Sequence, residues 1–193
     1  MIISHKYKFI FIKTRKTAGS SVEKYLSSYL GPTDICTGSV ADNTPQRNIT
    51  DSDGHKNWRW VKEHYPVEWK TYYKFAVDRH PWDKMVSFYY YYKAHKPYKV
   101  SNGFNYFVQH RMQNDWAMYA EGSIIHVDKL VNYTILHEEL RTMPIPYDDE
   151  LLHIRVKADL RKNKEYKHMY NKTSLNMVNT NHAQLIKYFN YKY

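Results

Sequence analysis

The feature that most limits how this chain can fold is a four-residue apolar run, Phe9-Ile10-Phe11-Ile12, that breaks into a short basic loop and then a helix. A run without polar alternation suits a strand buried on both faces, as in a parallel sheet covered by helices. The strand is assigned to Lys8–Ile12. The loop Lys13-Thr14-Arg15-Lys16-Thr17-Ala18-Gly19 follows, and Ser20-Ser21 opens the helix. Val22, Tyr25, Leu26 and Tyr29 share one face of that helix, and Gly31-Pro32 stops it. The pattern returns further on. Tyr72–Val77 reads as a second strand, Asp78-Arg79-His80 as its exit, and Pro81 as the first position of a helix running to about Lys93. Strands alternating with helices predict an α/β fold with a central, mainly parallel sheet flanked by helices.

Elsewhere the pattern is weaker. Residues 33–54 and 96–103 read as loops, and His55–His64 as a helix ended by Pro66. Phe104, Phe107, Val108, Met112 and Trp116 mark one amphipathic helix, Ser123–Val127 a short strand, Tyr133–Arg141 a short helix and Leu175–Tyr188 the last helix. A chain of 193 residues suffices for one domain, 1–193, with a core that needs no cross-link. Cys36 is the only cysteine, which excludes an intramolecular disulfide and any cysteine-rich metal site. The 11 histidines contain no closely spaced pair and no H-E-x-x-H, so no catalytic metal is expected. With no long apolar segment and no leader pattern, we expect a soluble, cytoplasmic protein without a membrane partner.

A formal charge of +10 favours an anionic partner. Nucleic acid, a phosphorylated cofactor and an acidic polysaccharide all qualify, although a chain so rich in Lys, Asn, Tyr and Ile is partly basic by composition alone. The first strand–loop–helix junction offers a place for the anion. Backbone N–H groups at a helix start have no intrahelical partner, and the helix dipole adds partial positive charge. Ala18 and Gly19 let an oxygen approach the backbone, Ser20 and Ser21 add hydroxyls, and Lys16 adds a full charge. G-x-x-x-x-G-K-[ST] is absent, so this is not a standard nucleotide-triphosphate loop; a plain helix-capping turn is the alternative. At the second junction Arg79 can grip a phosphate as a fork, with Ser87 two turns into the helix as a further donor. The alternative there is an Arg paired with Asp78 or Asp83. Both loops leave carboxyl ends of strands, where open α/β sheets bind ligands.

Together the two segments resemble a known family. Lys8-Phe-Ile-Phe-Ile-Lys-Thr-Arg-Lys-Thr-Ala-Gly-Ser-Ser-Val-Glu23 looks like the 5′-phosphosulfate loop of sulfotransferases that use 3′-phosphoadenosine-5′-phosphosulfate. Lys74-Phe-Ala-Val-Asp-Arg-His-Pro-Trp-Asp-Lys-Met-Val-Ser-Phe-Tyr-Tyr90 looks like their 3′-phosphate motif, with His80 in place of the usual Asn and Asp78 where an apolar residue is common. The likeness is greatest to the branch holding carbohydrate 2-O-sulfotransferases and small bacterial and viral homologues. It implies a P-loop-like three-layer fold, with the donor's phosphosulfate on Lys16, Thr17, Ala18, Gly19, Ser20 and Ser21 and its 3′-phosphate on Arg79 and Ser87. It also implies catalysis by Lys16, which stabilises charge on the departing 3′,5′-adenosine bisphosphate, and by His55, the base, since Gly54-His55 matches the family's Gly-His. The basic segment from Leu151 to Tyr170 is similar to one near the family's C-terminus. There Lys157 and Arg161 are candidates to close over the cofactor phosphates, or a solvated charge run. The acceptor implied is a hydroxyl, with a carbohydrate expected and nucleic acid not expected.

Two other classes compete. A single-stranded nucleic-acid-binding protein would use the charge with Tyr and Trp as stacking platforms, but the basic residues are scattered and no such module signature appears. A nucleotide-kinase-like phosphotransferase would need the missing phosphate-loop lysine.

Overall fold

The computed structural model describes residues 1–51, 53–154, 156 and 165–193. In chain order the elements are β1 (Ile2–Ser4), β2 (Phe9–Ile12), α1 (Gly19–Ser27), β3 (Ile35–Cys36), α2 (Trp58–His64), α3 (Pro66–Thr71), β4 (Tyr73–Asp78) and α4 (Pro81–His95). They continue with α5 (Gly103–His110), α6 (Trp116–Tyr119), β5 (Ala120–Glu121), β6 (Ile124–Ile125), β7 (Lys129–Asn132), α7 (Leu136–Arg141), α8 (Lys172–Asn181) and α9 (Ala183–Phe189). The residues gather into two compact units, Met1–Asp78 with Ala117–Val156, and Arg79–Trp116 with Lys157–Tyr193. Among the described residues no helix is long and apolar enough to cross a membrane.

The first unit carries a five-stranded sheet of order β3-β1-β2-β4-β7. β2 pairs parallel with β4, and β4 with β7, while β1 pairs antiparallel with both β2 and β3. Four strands therefore point one way and β1 alone the other: an α/β fold with a mixed, mainly parallel sheet flanked by helices, as the sequence pattern predicts. All four residues of β2 are buried, which is why its run shows no polar alternation. Successive side chains take opposite faces. On one face Phe9, Phe11, Phe75, Val77 and Val131 pack with Val22, Tyr25 and Leu26 of α1 and with Leu136 and Leu140 of α7. Phe11 and Phe75, opposite each other in the parallel register, stack at 4.9 Å. Burying such a ring contributes on the order of 2–3 kcal/mol.

The second unit has its own core. Trp82, Met85 and Val86 of α4 meet Phe104, Phe107 and Val108 of α5 and Val178 of α8. Inside this unit Lys84 and Asp115 form an ion pair at 2.9 Å with side chains 1% and 0% exposed. α8 starts with a capping box: Asn171 accepts from the Ser174 N–H, and the Ser174 hydroxyl accepts from the Asn171 N–H.

Several local readings change. α1 ends at Ser27, short of Gly31, so Tyr29 lies beyond it. The stretch read as a loop over 33–54 contains β3, and β1 precedes the strand taken as first; both are too short for a periodic signal. α2 ends at His64, ahead of Pro66 as expected, but begins at Trp58 rather than His55, and Pro66 then opens α3 at its first position. The amphipathic pattern from Phe104 to Trp116 is two helices, α5 ending at His110 and α6 starting at Trp116. Around Ser123–Val127 the chain forms the β5–β6 hairpin, and the sheet strand is β7, just after it. The last helix is divided at His182 into α8 and α9.

Candidate active site

The loop between β2 and α1 is held from below by side chains that never reach solvent. The Lys13 ammonium donates to Glu23 Oε2 at 2.6 Å, with Glu23 fully buried about one turn into α1. The other Glu23 oxygen accepts from the Met1 ammonium at 2.7 Å and from the Thr37 hydroxyl at 3.1 Å. Burial alone would push the Glu23 carboxyl up, but the Met1 and Lys13 ammonium groups outweigh it and hold the carboxyl below its ordinary range. This pair ties the end of β2 to the body of α1, so the loop spans a fixed gap. Gly19 is required there by close approach: a Cβ on it would lie 2.9 Å from Lys13 Cγ and 3.1 Å from the Thr14 carbonyl oxygen.

Thr14 makes the second tie. Its hydroxyl donates to the Val77 carbonyl oxygen near the end of β4 and shares a 2.8 Å hydrogen bond with the Thr17 hydroxyl. Thr17 is wholly buried, and its hydroxyl also lies 3.3 Å from the Thr14 carbonyl oxygen. Lys16 and Ala18 both take left-handed backbone conformations, with φ of 60° and 61°. Non-glycine residues take that conformation at a cost, and such residues cluster at ligand-binding turns. Ala18 is the N-cap of α1 and gives no side-chain cap; the first intrahelical bond runs from Val22 N–H to the Ala18 carbonyl at 3.0 Å. The N–H groups of Gly19, Ser20 and Ser21 precede that bond. Ser20 is half-buried, whereas the buried Ser21 hydroxyl oxygen accepts from the Val156 N–H at 3.1 Å. Lys16 is half-buried on this loop.

His55 lies beside the same strand end. Its Nδ1 is 2.9 Å from the Lys13 carbonyl oxygen, and its N–H donates to Asp53 Oδ1 at 3.0 Å. A carbonyl only accepts, so Nδ1 carries a proton in this contact. The preceding Gly54 carbonyl oxygen accepts from the Met1 ammonium at 3.1 Å, which joins this segment to the Lys13–Glu23 network.

β2 and β4 are parallel neighbours, so their carboxyl ends share one edge of the sheet. β4 ends in Asp78, fully buried, whose Oδ2 accepts from the Tyr119 hydroxyl at 2.6 Å. Arg79 follows. In the second unit its Nε donates to Asp83 Oδ2 at 2.6 Å, the pairing the sequence left open as an alternative. Asp83 occupies two of the guanidinium's five N–H donors and fixes its plane. Ser87 is half-buried on α4. His80, in place of the family's usual Asn, packs its ring among Trp82, Tyr166 and Tyr191, and Nε2 donates to the Lys192 carbonyl at 3.0 Å. Burial pushes this ring's pKa down, which keeps it neutral.

Lys157 and Arg161 lie outside the described residues. Cys36 is buried in β3, and burial first, then Glu23, pushes its thiol pKa up. Among the described residues no three of His, Cys, Asp and Glu gather as metal ligands do. Sequence reasoning missed Lys13, Glu23 and Thr14 as the residues that set the loop. A charged residue on either side of a loop carries no mark of being buried; the one clue is Glu23 sitting on the apolar face next to Val22.

Residues 1–188 match the family model described as the sulfotransferase family. No curated protein and no solved structure gives a significant match.

Proposed function

The chain belongs to the sulfotransferase family, and from that premise we propose that it moves a sulfuryl group from 3′-phosphoadenosine-5′-phosphosulfate to a hydroxyl of a carbohydrate acceptor. The observation that carries this reading is the β2–α1 loop. Two left-handed residues, Lys16 and Ala18, turn the chain directly before α1, whose first N–H groups have no intrahelical partner. A phosphosulfate fits a cradle of backbone donors, a serine hydroxyl and one ammonium.

In this reading Gly19, Ser20 and Ser21 bind the donor's phosphosulfate through their N–H groups, with Thr17 and Ala18 shaping the turn. Arg79 and Ser87 bind its 3′-phosphate, and Lys157 and Arg161 add charge around the phosphates. When bound, the donor supplies the sulfuryl group and leaves as 3′,5′-adenosine bisphosphate. Lys16 meets the negative charge that grows on the leaving oxygen, where a fixed cation helps the transition state more than the ground state. His55 takes the acceptor's proton on Nε2, held in the right tautomer by the Lys13 carbonyl.

The test is transfer itself. Incubated with a donor carrying radiolabelled sulfate and a panel of glycans, peptides and small alcohols, the protein is expected to label a glycan, and His55→Ala to abolish the labelling. Label that never leaves the donor, or that settles only on peptides, contradicts the proposal.

A further inference from the structure

The second unit contains a cleft that the transfer reaction does not use. It measures about 330 Å³ and is lined by Tyr98, Lys99, Ser101, Asn102, Tyr106, Phe107, His110 and Arg111. The volume is at the lower end for small-molecule sites, about 300–1,000 Å³. Asn102, Tyr106 and His110 stand one turn apart along α5, and Tyr98 and Lys99 come from the turn before it. Phe107 is fully buried beneath them.

The polar part of this lining is cationic or neutral. It contains no carboxylate, and the sequence from Lys84 to Asn114 holds no Asp or Glu at all. Among the described residues Lys99 and Arg111 have no acidic partner. Lys99 instead holds its ammonium 5.7 Å from the Tyr92 ring centre and 5.8 Å from that of Tyr98. Asn102, the N-cap of α5, does not spend its side chain on capping. His110 donates from Nδ1 to the Tyr106 carbonyl at 2.9 Å and stacks on the Tyr106 ring at 3.9 Å, which fixes both rings as a wall. Tyr98 is 72% exposed and Tyr106 45%.

From these residues we infer that the cleft is a binding site for a sugar-sized sulfate or phosphate monoester. Arg111 and Lys99 pair with the oxyanion, whose oxygens take several donors at once; an Arg fork supplies two. Asn102 and Ser101 meet sugar hydroxyls, and the exposed tyrosine faces cover the ring. A single-stranded base suits the cleft less well, because His110 already occupies a face of Tyr106. The inference involves no sulfuryl transfer and stands or falls apart from the catalytic reading.

The experiment titrates the full chain, labelled with ¹⁵N, with glucose 6-sulfate, glucose 6-phosphate and glucose. Amide shifts confined to residues 98–111 are expected with both esters and not with glucose, and the two esters, compared with each other, show which oxyanion the site prefers. Arg111→Ala and Lys99→Ala, at positions outside the packed core, should each weaken ester binding about ten-fold, the effect of losing one charge-assisted contact. Arg111→Glu should abolish binding while the rest of the spectrum stays unchanged. No shift at millimolar ester, equal binding of glucose, or ester binding untouched by these changes overturns the inference. So does displacement of the ester by far lower concentrations of a single-stranded oligonucleotide.

Discussion

Lys16→Ala is expected to lower turnover by about 10²–10³-fold, the usual cost of removing one group that stabilises a developing charge. Affinity for 3′,5′-adenosine bisphosphate should fall far less, because in the proposed reading the α1 N–H groups and Arg79 also bind the phosphates. Backbone geometry makes the comparison fair. Lys16 has φ of 60°, a conformation that lysine and alanine tolerate about equally, so the substitution removes the ammonium without reshaping the turn. Single-turnover transfer of labelled sulfate gives the rate and calorimetry gives the affinity. A variant that loses affinity while keeping its rate would show that Lys16 only binds.

The second large effect is on stability. Glu23→Ala should cost about 3–5 kcal/mol, because it strands the Lys13 and Met1 ammonium groups in a buried site without their counter-charge. Lys13→Met should cost less, since Glu23 keeps the Met1 ammonium as its counter-charge and an apolar side chain replaces the buried ammonium. The effect also depends on pH. Glu23 is held below its ordinary value in the folded protein, so its contribution is complete above the unfolded value of about 4.3 and disappears as pH falls through the lower folded one. Urea unfolding of the wild type should therefore show stability falling on acidification below about pH 4, with a flatter profile for Glu23→Gln in that window. A loss below about 1 kcal/mol for Glu23→Ala would mean that the pair does not hold the loop.

These two residues mark the difference between what is legible in the chain and what is not. β2, α1, β4 and α4 can be read because each carries a strong local mark: an unbroken apolar run, a loop closed by Gly19, or a proline at a helix start. β7 escapes because only Leu130 and Val131 of its four residues are buried, and its place in the sheet comes from pairing with β4, 54 residues earlier in the register Ala76↔Leu130. Pro66 is ambiguous by nature, since the same ring ends one helix and begins another. The division between α8 and α9 has no glycine or proline; His182, buried there, bonds the Val178 and Gln113 carbonyls, a tertiary cause that no window of sequence contains. At the site the same holds. The loop residues from Lys16 to Ser21 and Arg79 are visible as motifs, whereas the contact of His55 with the Lys13 carbonyl and of Thr14 with Val77 exists only once the strands are in register.

In the proposed reaction one ligand is recognised by both of its phosphate ends. This is tested most directly by calorimetric titration of 3′,5′-adenosine bisphosphate against adenosine 5′-monophosphate, in the wild type and in Arg79→Ala. The wild type should bind the bisphosphate about 10–100-fold more tightly, as a charge-assisted fork contact warrants, and Arg79→Ala should remove most of the difference. Equal affinity of the wild type for the two nucleotides, or no binding of either, would contradict it.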